Sequence, residues 1–385
     1  MRRENWPVRK DYLGKIERLG MSFHTLNGLP YWDESVAYRF DTEEIETLES
    51  ASRELHEKCL EAVEHIICNR QLGRLGIPEC SHSVIEQAWE ADPPAIYGRL
   101  DLAYNGGPPK LLEYNADTPT SLLEAAVIQW HWLQEVNPEA DQFNSIWEGL
   151  VQKWSDLKKE GYLQSNYVHF GCVNEPEDLM TTAVLMDTAQ EVRLAVSFLQ
   201  MADIGWNSIQ QCLVDQGGRP MQTLFKLYPW EWILRDPFGP MVLQTYREMQ
   251  WIEPIWKMVL SNKAVLAILW ELFPDHPNLL PAYLDGPRDM DEFVTKPFWG
   301  REGANVSISS HQHITAVDGP YAKDPVIWQA YSPLPVFDGN HMLIGAWIID
   351  GEPRGIGIRE SDGPITEDHA RFVPHYFTPA SAAGT

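Results

Sequence analysis

The sequence has few cysteines and no long hydrophobic run. Its five cysteines form no C-x-x-C pair, which argues against a structural zinc site or a dithiol redox motif and fits a reducing compartment. The most apolar segment, residues 264–273, contains Glu271 and is far shorter than the ~20 residues that cross a bilayer. We therefore expect a cytoplasmic protein with no membrane partner.

Basic residues are also scarce, with 30 Lys and Arg against 55 Asp and Glu and a net charge of −25. An acidic chain without a basic patch repels phosphate backbones, which excludes general nucleic-acid binding. Amines and metal ions are more natural ligands, although acidity can equally serve solubility alone. The composition, 44% hydrophobic and 22% charged, is that of a globular protein and excludes a disordered chain.

Hydrophobic periodicity predicts a mixed α/β protein. Residues 41–71 have the spacing of a long amphipathic helix, and residues 121–133 form a second helix. Two alternating segments, 96–104 and 109–115, flank an Asn-Gly-Gly-Pro turn and predict a β-hairpin. Strands and a helix alternate over 165–215, and the C-terminal third is rich in strands. No linker rich in Pro, Gly or Ser divides the chain.

The predicted hairpin brings four polar side chains to one face. Arg99 and Asp101 are two residues apart on the first strand, and Glu113 and Asn115 are two apart on its partner. Two carboxylates and an amide oxygen are hard ligands that suit Mg²⁺, and an adjacent arginine can stabilise developing negative charge. The alternative is a solvent-facing salt bridge between Arg99 and Glu113.

A second pattern places a lysine before a glycine-rich loop. Lys296 ends a predicted strand, and Gly300 and Gly303 follow in the loop. Small residues let backbone N–H groups approach phosphate oxygens, and lysine supplies a positive charge. The order is not that of a Walker motif, so a glycine-rich turn is the alternative. Lys226 lies in a Trp-rich segment, where it is either a surface residue or a buried lysine that requires an anion.

Together these motifs resemble the synthetase domain of the glutathionylspermidine synthase family. The likeness runs from about residue 95 to the C-terminus, and the chain is similar in particular to the short bacterial members that lack the amidase half. It rests on these ordered segments: Arg99-Leu-Asp101, Leu112 to Thr120, Phe225-Lys226 with Trp230-Glu231, Glu253 to Trp256, Asn262-Lys263-Ala264, Lys296-Pro297 and Gly300 to Asn305.

The resemblance implies an ATP-grasp fold of the α/β (α+β) class. The metal ligands precede both lysines, so the resemblance implies the circularly permuted form of this fold, with a pre-ATP-grasp-like α/β subdomain. We expect one unit over residues 1–385. Within it the resemblance implies a mostly helical region at 1–95, a metal-binding hairpin and helix at 96–130, a small α/β subdomain at 165–215, and the remainder of the ATP-grasp at 216–378.

The resemblance also assigns roles to individual residues. Arg99 corresponds to the catalytic arginine beside the transferred phosphoryl group. The Mg²⁺ ligands correspond to Asp101, Glu113 and Asn115. The ATP contacts correspond to Arg99, Asp101, Lys226, Lys296, Glu302, Gly303, Gln329 and Tyr331. The substrate contacts correspond to Thr118, Thr120, Glu177 and Asp178, where the two threonines replace family serines and narrow the pocket for glutathione.

These assignments predict an ATP-dependent ligase with Mg²⁺ as cofactor. A substrate carboxylate would form an acyl phosphate, and an amine would displace phosphate to give an amide. The expected partners are a peptide-like or other small acid and an amine such as the polyamine spermidine. The alternatives are an amino acid as amine donor, a non-catalytic nucleotide- or polyamine-binding protein, and a metal-dependent hydrolase, which would leave the lysines and the glycine loop unexplained.

Overall fold

A computed structural model describes residues 1–26, 28–311, 313–367 and 369–378, so the tail at 379–385, which the sequence indicates to be mobile, lies outside the described residues. The fold is mixed α/β, as predicted. No helix in these ranges combines the length and the apolar character needed to span a membrane. The α-helices are Tyr12–Arg18, Thr42–Cys68, Glu79–Ala91, Gln129–Val136, Ile146–Lys159, Pro176–Glu191, Trp230–Ile233, Gly239–Gln244, Met258–Ser261 and Val265–Leu272.

The largest sheet, called the main sheet below, contains the predicted hairpin. Its six antiparallel strands are, in order, Arg371–Val373, Glu352–Ser361, Asn340–Ile349, Tyr97–Ala103 and Lys110–Asn115, with Val336–Phe337 paired to Asn340–Ile349. Alternation along the strand Tyr97–Ala103 directs Leu100 and Leu102 into the core, and Arg99 and Asp101 to the opposite face. Burying each leucine contributes about 1.5–3 kcal/mol, which fixes the register of the polar pair.

The long helix Thr42–Cys68 packs against the main sheet, as its apolar spacing predicted. Asp41 caps it by accepting a hydrogen bond from the backbone N–H of Glu44, and the Glu44 side chain accepts one from the backbone N–H of Asp41. This capping box contributes about 1 kcal/mol. Leu48 and Leu55 are fully buried, so the helix covers the apolar face of the sheet and leaves the polar face to the cavity.

A second antiparallel sheet carries Lys296 and is called the lysine sheet. Its five strands are, in order, Ala282–Tyr283, Val326–Ala330, Phe293–Pro297, Ser307–Ser310 and His313–Ala316. Lys296 pairs with Ile327 in the register, and Val294 pairs with Gln329. The C-terminal third is therefore rich in strands, as predicted.

The α/β region predicted at 165–215 contributes strands to a third sheet, called the parallel sheet below. Its four strands are, in order, Gln250–Ile252, Thr223–Leu227, Tyr167–Cys172 and Ala195–Gln200. The sheet therefore continues beyond residue 215. The segment Cys212–Val214 pairs instead with Gly205–Asn207 in a separate hairpin.

Strands from both ends of the described chain form a small sheet that the sequence did not indicate. It joins Arg2–Asn5, Val36–Phe40 and His375–Phe377, so the predicted mostly helical region also contains strands. A short hairpin of Thr25–Leu26 and Leu29–Pro30 lies nearby in sequence. Arg3 and Glu360 form an ion pair at 2.7 Å, in which the Glu360 side chain has no exposed surface. This contact ties the first strand to the main sheet.

Candidate active site

A cavity of about 670 Å³ lies where the main sheet, the lysine sheet and the carboxyl ends of two strands of the parallel sheet meet. Every predicted site residue except Lys226 lines it. The lining members of that set are Arg99, Asp101, Glu113, Asn115, Thr118, Thr120, Glu177, Asp178, Lys296, Glu302, Gly303, Gln329 and Tyr331.

Asp101 lies between two guanidinium groups. Arg99 Nε donates to Asp101 Oδ1 at 2.7 Å, and Arg99 Nη2 donates to Oδ2 at 3.1 Å. Arg359 Nη2 donates to the same Oδ2 at 2.6 Å. Arg99 Nη1 also donates to the backbone oxygen of Thr120 at 2.8 Å. Because these bonds hold it from two sides, Arg99 has a fixed direction into the cavity.

Glu113 is held by lysines. Lys263 Nζ lies 2.8 Å from Glu113 Oε2, and Asn115 Nδ2 donates to Glu113 Oε1 at 2.9 Å. Burial opposes ionisation of Glu113, but the ammonium groups of Lys263 and Lys296 outweigh it and hold the pKa of this carboxyl well below its usual range. Burial in turn lowers the pKa of Lys296 to about 8. Glu113 is therefore an anion at neutral pH.

Asp101, Glu113 and Asn115 suit Mg²⁺ by their chemistry. Asn115 Nδ2 lies 3.4 Å from Asp101 Oδ2, so the three side chains meet on one face. No group of three or more His, Cys, Asp or Glu that could hold a metal ion occurs among the described residues, so a metal cage made only of such side chains is not present there. Mg²⁺ commonly uses one or two carboxylates and completes its shell with water and substrate phosphates, which this donor set allows.

Lys296 and Gln329 join the lysine sheet to the hairpin. Lys296 Nζ donates to the backbone oxygen of Leu112 at 2.9 Å and to Gln329 Oε1 at 2.7 Å. Gln329 Nε2 donates to the backbone oxygen of Leu111 at 3.0 Å. Both polar atoms of the Gln329 side chain are thus used in hydrogen bonds, one with Lys296 and one with the hairpin. Tyr331, two residues later, also lines the cavity.

Lys226 is buried and does not line the cavity, so its predicted contact with ATP stays a prediction. Its side chain has no exposed surface, and its Nζ lies 2.5 Å from Asp117 Oδ1. The alternative considered for this residue, a buried lysine with an anion partner, is what the structure has. Lys263 lines the cavity instead and donates to the backbone oxygen of Gly300 at 2.6 Å. The segment Asn262-Lys263-Ala264 is part of the family resemblance, but the resemblance gave no role to Lys263.

The glycine-rich loop carries a second basic residue that the sequence analysis missed. Arg301 Nη1 donates to Thr118 Oγ1 at 3.1 Å, and Arg301 Nη2 donates to Glu231 Oε1 at 2.6 Å. Gly303 has φ +71°, and a Cβ there would lie 2.8 Å from Ile365 Cγ2 and from the backbone oxygen of Thr366. Glycine is therefore required where the loop lies against these residues.

An acidic group lies at another part of the cavity. Thr120 Oγ1 donates to Glu177 Oε2 at 3.3 Å. Glu124 is buried outside the cavity lining and accepts a hydrogen bond from Tyr31 at 2.8 Å. Burial raises the pKa of Glu124 and that of Asp178 to about 7 each, and it also raises the pKa of Glu177. Glu177 and Asp178 both line the cavity and begin the helix Pro176–Glu191. This end of the cavity can accept a cation.

Comparison with known proteins gives a match over almost the whole chain. The family model "Glutathionylspermidine synthase preATP-grasp" matches residues 3–378. A Haemophilus influenzae protein named "Putative acid--amine ligase" is 37% identical, over 97% of this chain and 98% of that protein.

Longer relatives match over part of their length. Trypanothione synthetase of Crithidia fasciculata is 27% identical over 81% of this chain and 52% of its own length. The bifunctional glutathionylspermidine synthetase/amidase of Escherichia coli is 24% identical over 94% of this chain and 63% of its own length. The chain thus spans between half and two thirds of these two proteins. A solved structure of "Putative gamma-glutamylcysteine synthetase" from Methylobacillus flagellatus KT is 12% identical over 82% of this chain and 86% of that chain, with a TM-score of 0.45.

Proposed function

The chain belongs to the glutathionylspermidine synthase family, and from this premise we propose that it joins a peptide-like or other small acid to an amine through an acyl phosphate. The relatives are acid–amine ligases and synthetases, and the chain is an ATP-dependent C–N ligase of the same class. The identities of the acid and of the amine are the parts that we propose.

One observation carries the proposal, which is the meeting of opposite charges in a single cavity. Carboxylates of Asp101 and Glu113 lie beside the cations Arg99, Lys263 and Lys296. Phosphoryl transfer is catalysed mainly by positioning and charge stabilisation, and it needs both kinds of group. A protein that only bound a nucleotide would have little use for an arginine aimed at the transferred group.

In the first half of the proposed reaction, the substrate carboxylate attacks the γ-phosphorus of ATP, and ADP leaves. Lys263 and Lys296 would bind phosphate oxygens, and Arg99 would stabilise the charge on the transferred phosphoryl group. Mg²⁺ held by Asp101, Glu113 and Asn115 would supply further neutralisation of phosphate charge. Arg301, which belongs to the glycine loop, binds Thr118, and these two residues would orient the acid.

In the second half, the amine attacks the acyl carbon and phosphate leaves. Glu177 and Asp178 would bind the ammonium groups of the incoming substrate, which suits a polyamine with several positive charges. Because an acyl phosphate hydrolyses in water, the site must be closed during the reaction. The loop Gly300–Gly303 is the segment that we assign to this closure, with Glu302 and Gly303 over the phosphates.

We also propose the finer fold assignment, a circularly permuted ATP-grasp. It is supported by the position of the cavity between two antiparallel sheets, one carrying the metal-binding side chains and the other Lys296. The parallel sheet would then belong to the pre-ATP-grasp part. The domain limits at 1–95, 96–130, 165–215 and 216–378 stay predictions, as does the cytoplasmic location.

The decisive experiment is a release assay for ADP and phosphate with a matrix of acids crossed with amines. Glutathione, other small peptides and simple acids would be paired with spermidine, other polyamines and amino acids, and products identified by mass spectrometry. We expect Mg²⁺-dependent release that requires both substrates in at least one pair and yields an amide. If no pair released ADP and phosphate, the result would contradict the ligase proposal and favour a binding protein. If the product contained an amino acid, the amine donor would be an amino acid rather than a polyamine.

The pH dependence tests the proposed amine subsite. Because the pKa of Asp178 is raised to about 7, this carboxyl is largely protonated below that pH and ionised above it. We therefore expect the KM for the amine to fall several-fold from pH 6 to pH 7.5. Over this range Lys296, whose pKa is lowered to about 8, stays mostly protonated, so the KM for ATP should change little. Steady-state kinetics would measure both constants. The Asp178→Asn variant should lose most of this dependence, and an unchanged pH profile would remove Asp178 from amine binding.

A further inference from the structure

A second cavity, of about 380 Å³, lies at the carboxyl ends of the strands of the parallel sheet. Ligands of open α/β sheets bind at this edge, where loops and helix termini leave a crevice. Apolar side chains form most of its wall. They include Ile204, Leu213, Phe238, Val242 and Trp251. The proposed ligase reaction makes no use of this cavity.

The two cavities share one wall. Val173 lines both of them. Along the next strand of the parallel sheet, Leu227 and Pro229 face the first cavity, and Tyr228 between them faces the second. The wall is therefore a single layer of chain, and a ligand in the second cavity would touch residues adjacent to the proposed active site.

The polar groups of the second cavity select the charge of a ligand. Asp236 is the one ionisable carboxylate in its described lining, and no Lys, Arg or His occurs among the described residues that form the wall. Tyr228 donates a hydrogen bond to Asp236 Oδ2 at 3.1 Å. Burial and the Asp236 charge raise the pKa of Tyr228 to about 12, so the phenol keeps its proton at neutral pH.

We propose that the second cavity binds a small amphipathic amine, whose ammonium group pairs with Asp236 and whose apolar body contacts the surrounding hydrophobic residues. The carboxylate excludes anions, and the aromatic faces of Tyr228 and Trp251 favour a cation near them. The occupant is either a separate amine or the distal part of an amine substrate that reaches past Val173. Both sources have the same chemistry.

A chain of contacts connects this site to the first cavity. Tyr228 packs edge-on against Trp232, with ring centroids 5.4 Å apart. Trp232 lines the first cavity and lies 5.5 Å below the guanidinium of Arg301, which in turn binds Thr118 and Glu231. An ammonium at Asp236 competes for the oxygen that Tyr228 now binds. A ligand in the second cavity would therefore change the position of Arg301 through Tyr228 and Trp232.

Calorimetric titration of the full chain with hexylamine, hexanol and hexanoate tests the proposal without ATP or turnover, so its failure is distinct from failure of the ligase function. We expect saturable binding of hexylamine, binding of hexanol at least about tenfold weaker, and no binding of hexanoate in the second cavity. Any hexanoate bound at the proposed acid site of the first cavity should be unaffected by Asp236→Asn. Asp236→Asn should weaken hexylamine binding at least about tenfold, which corresponds to about 1.4 kcal/mol. The matched control is Asp203→Asn, an exposed acid that binds Gln216 outside the cavity and should leave the affinity unchanged.

A second variant addresses the apolar part of the site. Ile204→Trp fills the cavity from a partly exposed position and should abolish hexylamine binding, with circular dichroism to verify folding. Binding that survives Asp236→Asn and is lost in Asp178→Asn would place the amine in the first cavity and overturn the proposal. Equal affinities in the Asp236→Asn and Asp203→Asn variants would overturn it as well. Competition between hexylamine and the amine substrate, once known, distinguishes a substrate extension from a separate ligand.

Discussion

Replacing Glu113 with glutamine is expected to abolish ATP-dependent amide formation while the protein remains folded. The change removes the negative charge that Lys263 and Lys296 stabilise and that we assign to Mg²⁺. Loss of an outer partner of a metal ligand typically costs about 10–100-fold in affinity or activity. We therefore expect a loss of more than about 100-fold for a direct ligand, measured by ADP release at saturating substrates.

The matched control is Glu352→Gln, on the same sheet and at its surface, where the side chain binds Arg53. This variant should retain wild-type turnover, and circular dichroism would verify that the Glu113→Gln variant is folded. Titration of Mg²⁺ in the presence of ATP gives a second measurement, in which the Glu113→Gln variant should require higher Mg²⁺. Wild-type turnover in a folded Glu113→Gln variant would remove Glu113 from the metal site.

The second large effect is expected on stability, at the buried pair of Lys226 and Asp117. Neither side chain has any exposed surface, and the Asp117 carboxylate also accepts a hydrogen bond from the backbone N–H of Trp230 at 3.0 Å. Lys226→Met leaves that carboxylate buried without its cation. Removing one partner of a buried ion pair typically costs about 3–5 kcal/mol. Urea unfolding should report a free energy of unfolding lower by that amount.

Removing both charges should cost less than removing one. We expect the double variant Lys226→Met with Asp117→Asn to recover part of the stability lost by the single change, because no unpaired charge stays buried. Lys58→Met is the control for loss of a surface lysine, since Lys58 pairs with the exposed Glu61. It should change the free energy of unfolding by less than about 0.5 kcal/mol. A Lys226→Met variant as stable as wild type would contradict the structural role of the pair.

Local patterns in the sequence were sufficient for the elements that position the site. The alternation of Arg99 with Leu100 and of Asp101 with Leu102 determines which side chains leave the core, so the polar face of the hairpin could be predicted. The helix Thr42–Cys68 could be predicted equally well, because the spacing of its apolar residues and its acidic first turn are both local features. The strand Arg2–Asn5 was not, because its stability derives from pairing with Val36–Phe40 across a long loop.

The sequence allowed us to predict many of the charged residues at the site, but not which residues they pair with. Lys226 and Lys263 are both lysines within recognisable segments, and only the three-dimensional arrangement assigns the first to Asp117 and the second to Glu113. Arg359 lies far from Asp101 in sequence, and its strand reaches the site because the main sheet returns to the hairpin through Asn340–Ile349. No local pattern contains that information, since it depends on sheet order.

The pairing of the first strands with the last has a consequence for synthesis of the protein on the ribosome. Arg3 and Glu360 are 357 positions apart, and the strand with Arg99 and Asp101 has Asn340–Ile349 as one neighbour. The N-terminal half is therefore synthesised long before the C-terminal strands with which it pairs, and its apolar strands stay unpaired until then. The cavity is complete only after Phe372, a residue of its lining, has been translated. The proposed nucleotide site is therefore completed only after these later strands have joined the main sheet.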